Sequence, residues 1–240
     1  MRVNRFFVNK PLGEETFTDD VYLVHQIKNV LRLAIGDSLI LFNGKDFFDF
    51  LYEIKELHKD SVHLCLLEKK ATIRRGGKVV VFLSLIKKEL FELAVLKMTE
   101  LGVTHIVPLI SERTQSHFLN YDRLEKIARE GAEQSGRGDI PLILPERKLS
   151  ACVSLQEELE VPTANTFALS LLGENPLRNF GNYSSHESIA FFIGPEGGWT
   201  PLEEISFIEK QITPLSVSPQ VLRTETAAII CVYLSFLLRK

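Results

Sequence analysis

The sequence predicts an α/β protein in which a small β-rich domain precedes a larger domain built on a mainly parallel sheet. Three observations carry that expectation. Between Ser38 and Leu67 the apolar residues follow strand periodicity, broken by Asn43-Gly44, a strong short hairpin signal. From Val79 onward, short apolar runs alternate with amphipathic stretches at helical spacing, the pattern of parallel strands joined by helices. Between the two regions stands Arg74-Arg75-Gly76-Gly77, which reads as a linker, so the expected domains are residues 1–73 and 74–240.

In chain order, Arg5 to Val8 is a short strand and Asp19 to Leu33 a helix with Val21, Val24, Ile27, Val30 and Leu31 on one side, ended by Gly36. Ser38 to Phe42, Phe47 to Ile54 and Ser61 to Leu67 are strands of a small barrel or sandwich. Val79 to Leu85 is a continuous apolar run but for Ser84, of the kind found in strands buried on both faces. Lys88 to Leu101 is an amphipathic helix with Phe91, Ala94, Val95, Met98 and Leu101 inward, and Gly102 is placed to stop it. Val103 to Ile110 is a strand and Asp122 to Gln134 a helix. Phe167 to Leu172, Ile189 to Ile193 and Pro214 to Val217 are further strands. Thr226 to Leu238 closes the chain as a helix apolar on nearly every side and therefore expected to be buried.

Composition narrows the function. The 240 residues carry a net charge of −3, with 13 Lys and Arg against 11 Asp and Glu in residues 1–78 but 5 against 10 in residues 150–240. Indiscriminate coating of nucleic acid is disfavoured, because that affinity comes from neutralising phosphates, while recognition of a structured RNA stays open. The N-terminus lacks a signal-peptide core and the longest apolar stretch is too short to span a bilayer, so a cytoplasmic protein without a membrane partner is expected. Cys65, Cys152 and Cys231 are widely separated and the six histidines scattered, so no metal is expected.

The residues FFIGPEGGWTPLEEI (191–205) make a strand, a glycine-rich turn and a helix start, with Thr200 as cap, Pro201 at the first helical position and Glu203 three residues after the cap. Such turns often hold phosphate, but Glu196 in its middle would repel one. Two other loops follow late strands, at Leu171 to Pro176 and Ser218 to Thr226. If the three strands are neighbours, the loops converge on one cleft at the carboxyl ends of a parallel sheet, where ligands bind. Neither a dinucleotide fingerprint nor a P-loop is present, and no serine stands at a nucleophile elbow. A nucleoside without phosphates, held by backbone groups, would suit these loops; a connection needing glycine for geometry alone is the plain alternative.

IGPEGGWTPLEE followed by LRTETAA resembles the RNA methyltransferases of the SPOUT superfamily, and the likeness extends through KKELFELAVLKMTELGVTHIVPLISERT, AREGAEQSGR and the N-terminal RFFV and VLRL. Within it the chain is similar to the bacterial 16S rRNA (uracil-N3)-methyltransferases. The resemblance implies a PUA-like N-terminal barrel for RNA, a C-terminal α/β domain with a deep trefoil knot, a homodimer, S-adenosylmethionine as methyl donor, and 16S rRNA of the small ribosomal subunit as substrate. It puts cofactor contacts on Leu171 and Leu172, on Gly194, Pro195, Glu196, Gly197 and Gly198, and on Ser216, Val217, Ser218, Val221 and Leu222. Arg113, Arg129, Gln134 and Arg137, in the matching SERT and EQSGR segments, become RNA or cofactor-proximal contacts; Arg2, Arg5, Lys28 and Arg32 could add phosphate contacts from the barrel. Arg223 and Glu225 are the chemical candidates: a guanidinium stabilises charge developing on uracil oxygens and a carboxylate or water takes the N3 proton. A helix-end pair is the alternative, since a first-turn glutamate complements the helix dipole. Two other readings remain, a silent RNA-binding assembly factor that keeps the fold and a sister enzyme that methylates a ribose 2′-hydroxyl. Cys231 and Cys152 lie in helices as packing residues, which favours nitrogen over C5 as acceptor.

Overall fold

The computed structural model describes residues 3–73, 76–115, 118–174 and 187–237. The chain divides into two compact units, residues 1–74 with 132–140, and residues 75–131 with 141–240.

In the first unit, β1 (Arg5–Phe7), β2 (Glu15–Thr18), β3 (Ser38–Phe42), β4 (Phe48–Leu57) and β5 (Val62–Ala71) form a sheet in the order β1-β3-β4-β5-β2. β1 runs parallel to β3 and the other pairs are antiparallel. Two register shifts along β4–β5, at Leu51/Tyr52 and Ile54/Glu56, add the local twist that curls such a sheet around a core. That core holds Leu23, Ile27, Leu39, Leu41, Tyr52, Ile54, Val62 and Leu64. Tyr52 is buried but not orphaned, because its hydroxyl donates to the Gly13 carbonyl at 2.7 Å.

The helical stretch departs from its expected face. α1 (Val21–His25) starts at Asp20, whose carboxylate accepts from the Leu23 amide at 2.8 Å, and then widens into a π-helical turn over Gln26–Val30. Leu23, Val24 and Ile27 point inward, while Val21 is 84% and Val30, at the end of the wider turn, 54% exposed. Asn43-Gly44 opens a five-residue connection between β3 and β4 in place of a two-residue turn: the Asn43 side chain accepts from the amides of Lys45 and Asp46.

Residues 132–140, assigned to the larger domain by the sequence alone, belong to the first unit because Arg5 and Phe7 hold them there. The Arg5 guanidinium donates to the carbonyls of Ala132 (2.9 Å) and Arg137 (2.7 Å), pairs with Asp49 at 2.7 Å and lies over the Phe42 ring. The Phe7 amide donates to Glu133 at 3.0 Å.

In the second unit the strands are β6 (Val79–Ser84), β7 (His105–Ile110), β8 (Leu142–Ile143), β9 (Arg147–Lys148), β10 (Thr166–Glu174), β11 (Ile189–Ile193) and β12 (Thr213–Leu215). Among the described residues every pairing in this sheet is parallel, in the order β12-β10-β11-β6-β7-β8 with β9 also on β7. The helices are α2 (Lys88–Leu101), α3 (Tyr121–Ser135, its last residues in the first unit), α4 (Leu149–Glu158), α5 (Pro201–Glu209) and α6 (Thr224–Leu237). α2 buries the predicted Phe91, Ala94, Val95 and Met98 and stops at Gly102, whose φ of 100° few other residues adopt. Phe82 and Phe192 stack at 4.3 Å across the central strands. α6 buries Ala227, Ala228, Cys231 and Val232 against α2, β6 and β11. It is not covered on every side as expected, since Tyr233, Phe236 and Leu237 are exposed. No helix among the described residues is long and apolar enough to cross a membrane.

Candidate functional site

Strand order turns back at the β6–β11 pair: β7 and β8 continue to one side, β10 and β12 lie on the other. Register brings the late strands level, with Ala168 beside Phe192 and Leu169 beside Leu215, so their carboxyl ends open at one place. A cavity of about 480 Å³ lies there. Its walls are the end of β10 (Leu169, Ser170, Leu171), the turn after β11 (Ile193 to Trp199), the end of β12 and its loop (Leu215 to Ser218, Gln220 to Leu222), the start of α6 (Thr224, Ala227), and Arg113 and Glu204. The expected convergence of three loops is therefore present, except that β10 is still extended through Leu171 to Glu174 and only the other two are loops at this point.

Local chemistry explains why the turn holds its shape. Thr200 and Glu203 form a reciprocal cap, the hydroxyl accepting from the Glu203 amide (3.3 Å) and the carboxylate from the Thr200 amide (2.9 Å), with Pro201 in the first turn. The second Glu203 oxygen accepts from the Glu112 amide at 2.9 Å, so one carboxylate joins the loop after β7 to the turn after β11. Beside it, Arg113 donates to the carbonyls of Gly197 (2.9 Å) and Trp199 (3.0 Å). The Trp199 indole donates to the Leu169 carbonyl at 2.7 Å, Ser170 donates to Glu204 at 2.9 Å, and Thr224 donates to the Gly194 carbonyl at 3.0 Å. The end of β10, the turn after β11 and the starts of α5 and α6 are thus bonded to one another. Glu203→Ala is expected to lower the unfolding free energy by about 2 kcal/mol, combining a lost cap with two amides left without their acceptor. Urea denaturation measures it, and Glu203→Gln should recover about half.

The glycines of the turn have different reasons. A Cβ on Gly194 would stand 3.1 Å from the Trp199 ring, and Gly198 sits at φ 66°. A Cβ on Gly197 would meet only the aliphatic stem of Arg113 at 3.4 Å, an ordinary contact.

Of the residues expected at the cofactor, Leu171, Gly194, Pro195, Glu196, Gly197, Gly198, Ser216, Val217, Ser218, Val221 and Leu222 line the cavity. The side chain of Leu172 lies outside the described residues, as do Arg2 and the linker arginines Arg74 and Arg75. The lining residues that sequence reasoning missed are chiefly Trp199, Ser170, Glu204, Thr224, Ala227 and the Arg113 bonds to the turn. Arg223 is exposed between Leu222 and Thr224, which line the cavity, but is not itself in the wall; Glu225 is buried in the first turn of α6, off the lining.

The expected RNA contacts separate into two kinds. Arg32, Arg113, Arg129 and Gln134 are exposed. Arg5 and Arg137 are not: their side chains are 7% and 8% exposed, and Arg137 pairs with Asp139 at 2.7 Å. Both guanidiniums are committed to partners within the first unit, which corrects the expectation that they face phosphate.

Among the described residues the lining contains no lysine or histidine, its arginine points at backbone carbonyls, and it carries the carboxylates of Glu196 and Glu204. Such a cavity suits an uncharged ring system with a cationic group and disfavours phosphate. Covalent chemistry through sulfur has no nucleophile in this unit. Burial pushes the Cys152 thiol up to about 12 and raises Cys231 further, so neither is a thiolate at neutral pH. Alkylation of the native protein, read by mass spectrometry, should label half-buried Cys65 first and reach the other two only on unfolding.

Comparison with known proteins agrees with this geometry. Residues 74–235 match the RNA methyltransferase domain family and residues 24–66 the RNA methyltransferase PUA domain family. The chain is 32% identical to ribosomal RNA small subunit methyltransferase E of Rickettsia conorii over 95% of this chain and 93% of that protein. It is 27% identical to the protein of the same name from Bacillus subtilis, with the same coverage. In structure it is similar to a ribosomal RNA small subunit methyltransferase E from Neisseria gonorrhoeae bound to S-adenosyl methionine, with a TM-score of 0.86, 25% identity, and 99% and 98% of the two chains covered. The α/β fold with a small PUA-like N-terminal sheet is the one those relatives share, and with both of its parts matched in order, the chain belongs to the RNA methyltransferase family.

Proposed function

We propose that the protein transfers a methyl group from S-adenosylmethionine to N3 of one uridine in the 16S rRNA of the small ribosomal subunit. The observation that carries this reading is the phosphate-averse cavity at the carboxyl ends of β10, β11 and β12, walled by glycine-rich backbone, apolar side chains and two glutamates. When bound, S-adenosylmethionine supplies a methyl group activated on a sulfonium cation. The residues fit it: the turn from Gly194 to Gly198 and the loop from Ser216 to Leu222 offer main-chain donors and acceptors to a purine, Leu171 and Val217 offer apolar contact, and Glu196 and Glu204 offset positive charge.

N3 of uracil bears a proton and its lone pair is delocalised, so that proton must pass to water or a carboxylate for nitrogen to attack the methyl carbon. Arg223, exposed at the rim, is the group we assign to stabilising the negative charge that then spreads onto the uracil oxygens. Buried Glu225 acts from the first turn of α6, where a carboxylate complements the dipole and steadies the helix end that carries Arg223. Exposed Arg32, Arg113, Arg129 and Gln134 are the RNA contacts we retain. A homodimer is supported by apolar side chains left exposed on α5 (Leu202, Ile205, Ile208) and α6 (Tyr233, Phe236). The ribosomal substrate places the work in the cytoplasm.

The test is methylation of small subunits and of naked 16S rRNA from cells lacking the protein, followed by nucleoside mass spectrometry. The expected product is 3-methyluridine at one position. A 2′-O-methyl nucleoside would move the reaction to ribose, and no methyl uptake with retained RNA binding would make the protein an assembly factor.

A further inference from the structure

On the solvent side of the first unit's sheet, three metal-ligating side chains meet that the reaction above does not use. β2 and β5 pair so that Glu15 stands directly across from Cys65 and Phe17 across from His63. Alternation buries Thr16, Thr18, Val62 and Leu64 and turns Glu15, Phe17, His63 and Cys65 outward. The ligand atoms of Glu15, His63 and Cys65 lie within 4.8 Å of one another. Stacking on Phe17, with ring centroids 4.0 Å apart and 5° between planes, fixes the imidazole. Its Nε2 is buried without a hydrogen-bond partner, and Glu15 Oε2 at 3.7 Å is too far to serve as one. A buried nitrogen with no partner, held in place between a thiol and a carboxylate, is what a cation would satisfy.

We infer that Glu15, His63 and Cys65 bind a zinc ion that clamps the edge strand β2 to β5. Thiolate with imidazole and carboxylate is a zinc donor set, whereas magnesium and calcium take oxygen ligands alone. Three protein ligands leave the fourth tetrahedral position to water. Tetrahedral zinc needs its ligand atoms roughly 3.5 Å apart, and the Glu15 side chain, 66% exposed, is free to close the remaining gap by rotation. Glu53 and Glu56 on β4 stand across from Cys65 and His63, with Glu53 paired to Lys55 and Glu56 bonded to His58. The sequence pointed away from metal because the spacing is His-x-Cys along one strand, with the third ligand on a strand far earlier in the chain.

The full-length protein, freed of metal by chelation, is titrated with cobalt(II) and then zinc(II). One equivalent of cobalt is expected, with thiolate-to-cobalt charge-transfer absorption and the intense visible bands of tetrahedral coordination, displaced by one equivalent of zinc. Cys65→Ser should abolish the charge-transfer band, and Glu15→Gln should weaken zinc about tenfold. Zinc should also slow alkylation of Cys65 in the unmodified protein. Absence of the charge-transfer band at roughly tenfold excess of cobalt, or its persistence in Cys65→Ser, overturns the site. Should Cys65→Ser fail to fold by circular dichroism, an alkylation rate of Cys65 unchanged by zinc does the same.

Discussion

Replacing Arg223 by alanine is expected to slow methyl transfer about a hundredfold in a single turnover, the scale of losing one preorganised donor, while cofactor affinity holds. Arg223 is exposed one residue before α6, and its carbonyl accepts from the Ala227 amide at 2.9 Å, so the backbone that carries it is fixed. The helix N-terminus behind it adds positive potential of the same sense. A uracil losing its N3 proton at this rim becomes an anion beside fixed positive charge, and only the charged stage of the reaction benefits. Lysine should restore part of the rate, since it brings the charge without the planar fork. The parental rate should climb with pH as the imide proton becomes easier to remove, and the alanine variant should need a higher pH to reach the same fraction of its plateau. An Arg223→Ala protein that binds RNA and cofactor normally and transfers methyl at the parental rate would leave Arg223 as a helix-end residue.

Gly194→Val should cost cofactor affinity about tenfold to a hundredfold, whereas Gly197→Ala should cost little. At position 194 a Cβ meets the Trp199 ring at 3.1 Å and the further valine carbons crowd it more, and any retreat of the ring strains its 2.7 Å bond to the Leu169 carbonyl. Relief therefore displaces either the turn or the end of β10, both of which are cavity walls. Overpacking of this kind costs about 1–3 kcal/mol, and affinity falls tenfold for each 1.4 kcal/mol or so. At position 197 the added atom touches the Arg113 stem at an ordinary distance. Calorimetric titration with S-adenosylmethionine compares the two. Equal affinities for Gly194→Val and the parent would remove the turn from the binding site.

Much of this arrangement could be read from the letters because it is local. Thr200, Pro201 and Glu203 announce a capped helix by type and spacing, and the structure has that cap. Val79 to Leu85, apolar on both faces, announced a central strand, and β6 lies at the centre of its sheet. What failed was whatever depends on a distant partner. β2 passed unnoticed because Glu-Thr-Phe-Thr is half polar and becomes a strand only through its pairing with β5. Arg5 was expected at RNA because the sequence shows a cation but not the distant carboxylate it meets, Asp49; Arg137 instead pairs with Asp139 only two positions on. The second bond of Glu203, to the Glu112 amide, joins residues 91 positions apart and left no trace in either segment. Val30 was misassigned for a local reason, a π turn that rotates the helix face and breaks the assumed period, while Val21 stands at the exposed first position of its helix.

The pairing of β6 with β11 also sets a clock. The Lys78 amide donates to the Ser188 hydroxyl 110 positions along the chain, and the two strands run side by side from that point. At about 5–20 residues per second, a ribosome needs roughly 5–20 s to deliver β11 after β6 has emerged, and longer to deliver the α6 helix that covers them. For that interval Val79 to Leu83, buried on both faces in the finished protein, stay without their neighbour. Closing so long a loop is slow as well as late. An rRNA-modifying enzyme with this topology is thus itself a demanding product of the ribosome, its central sheet covered only after α6 has been made.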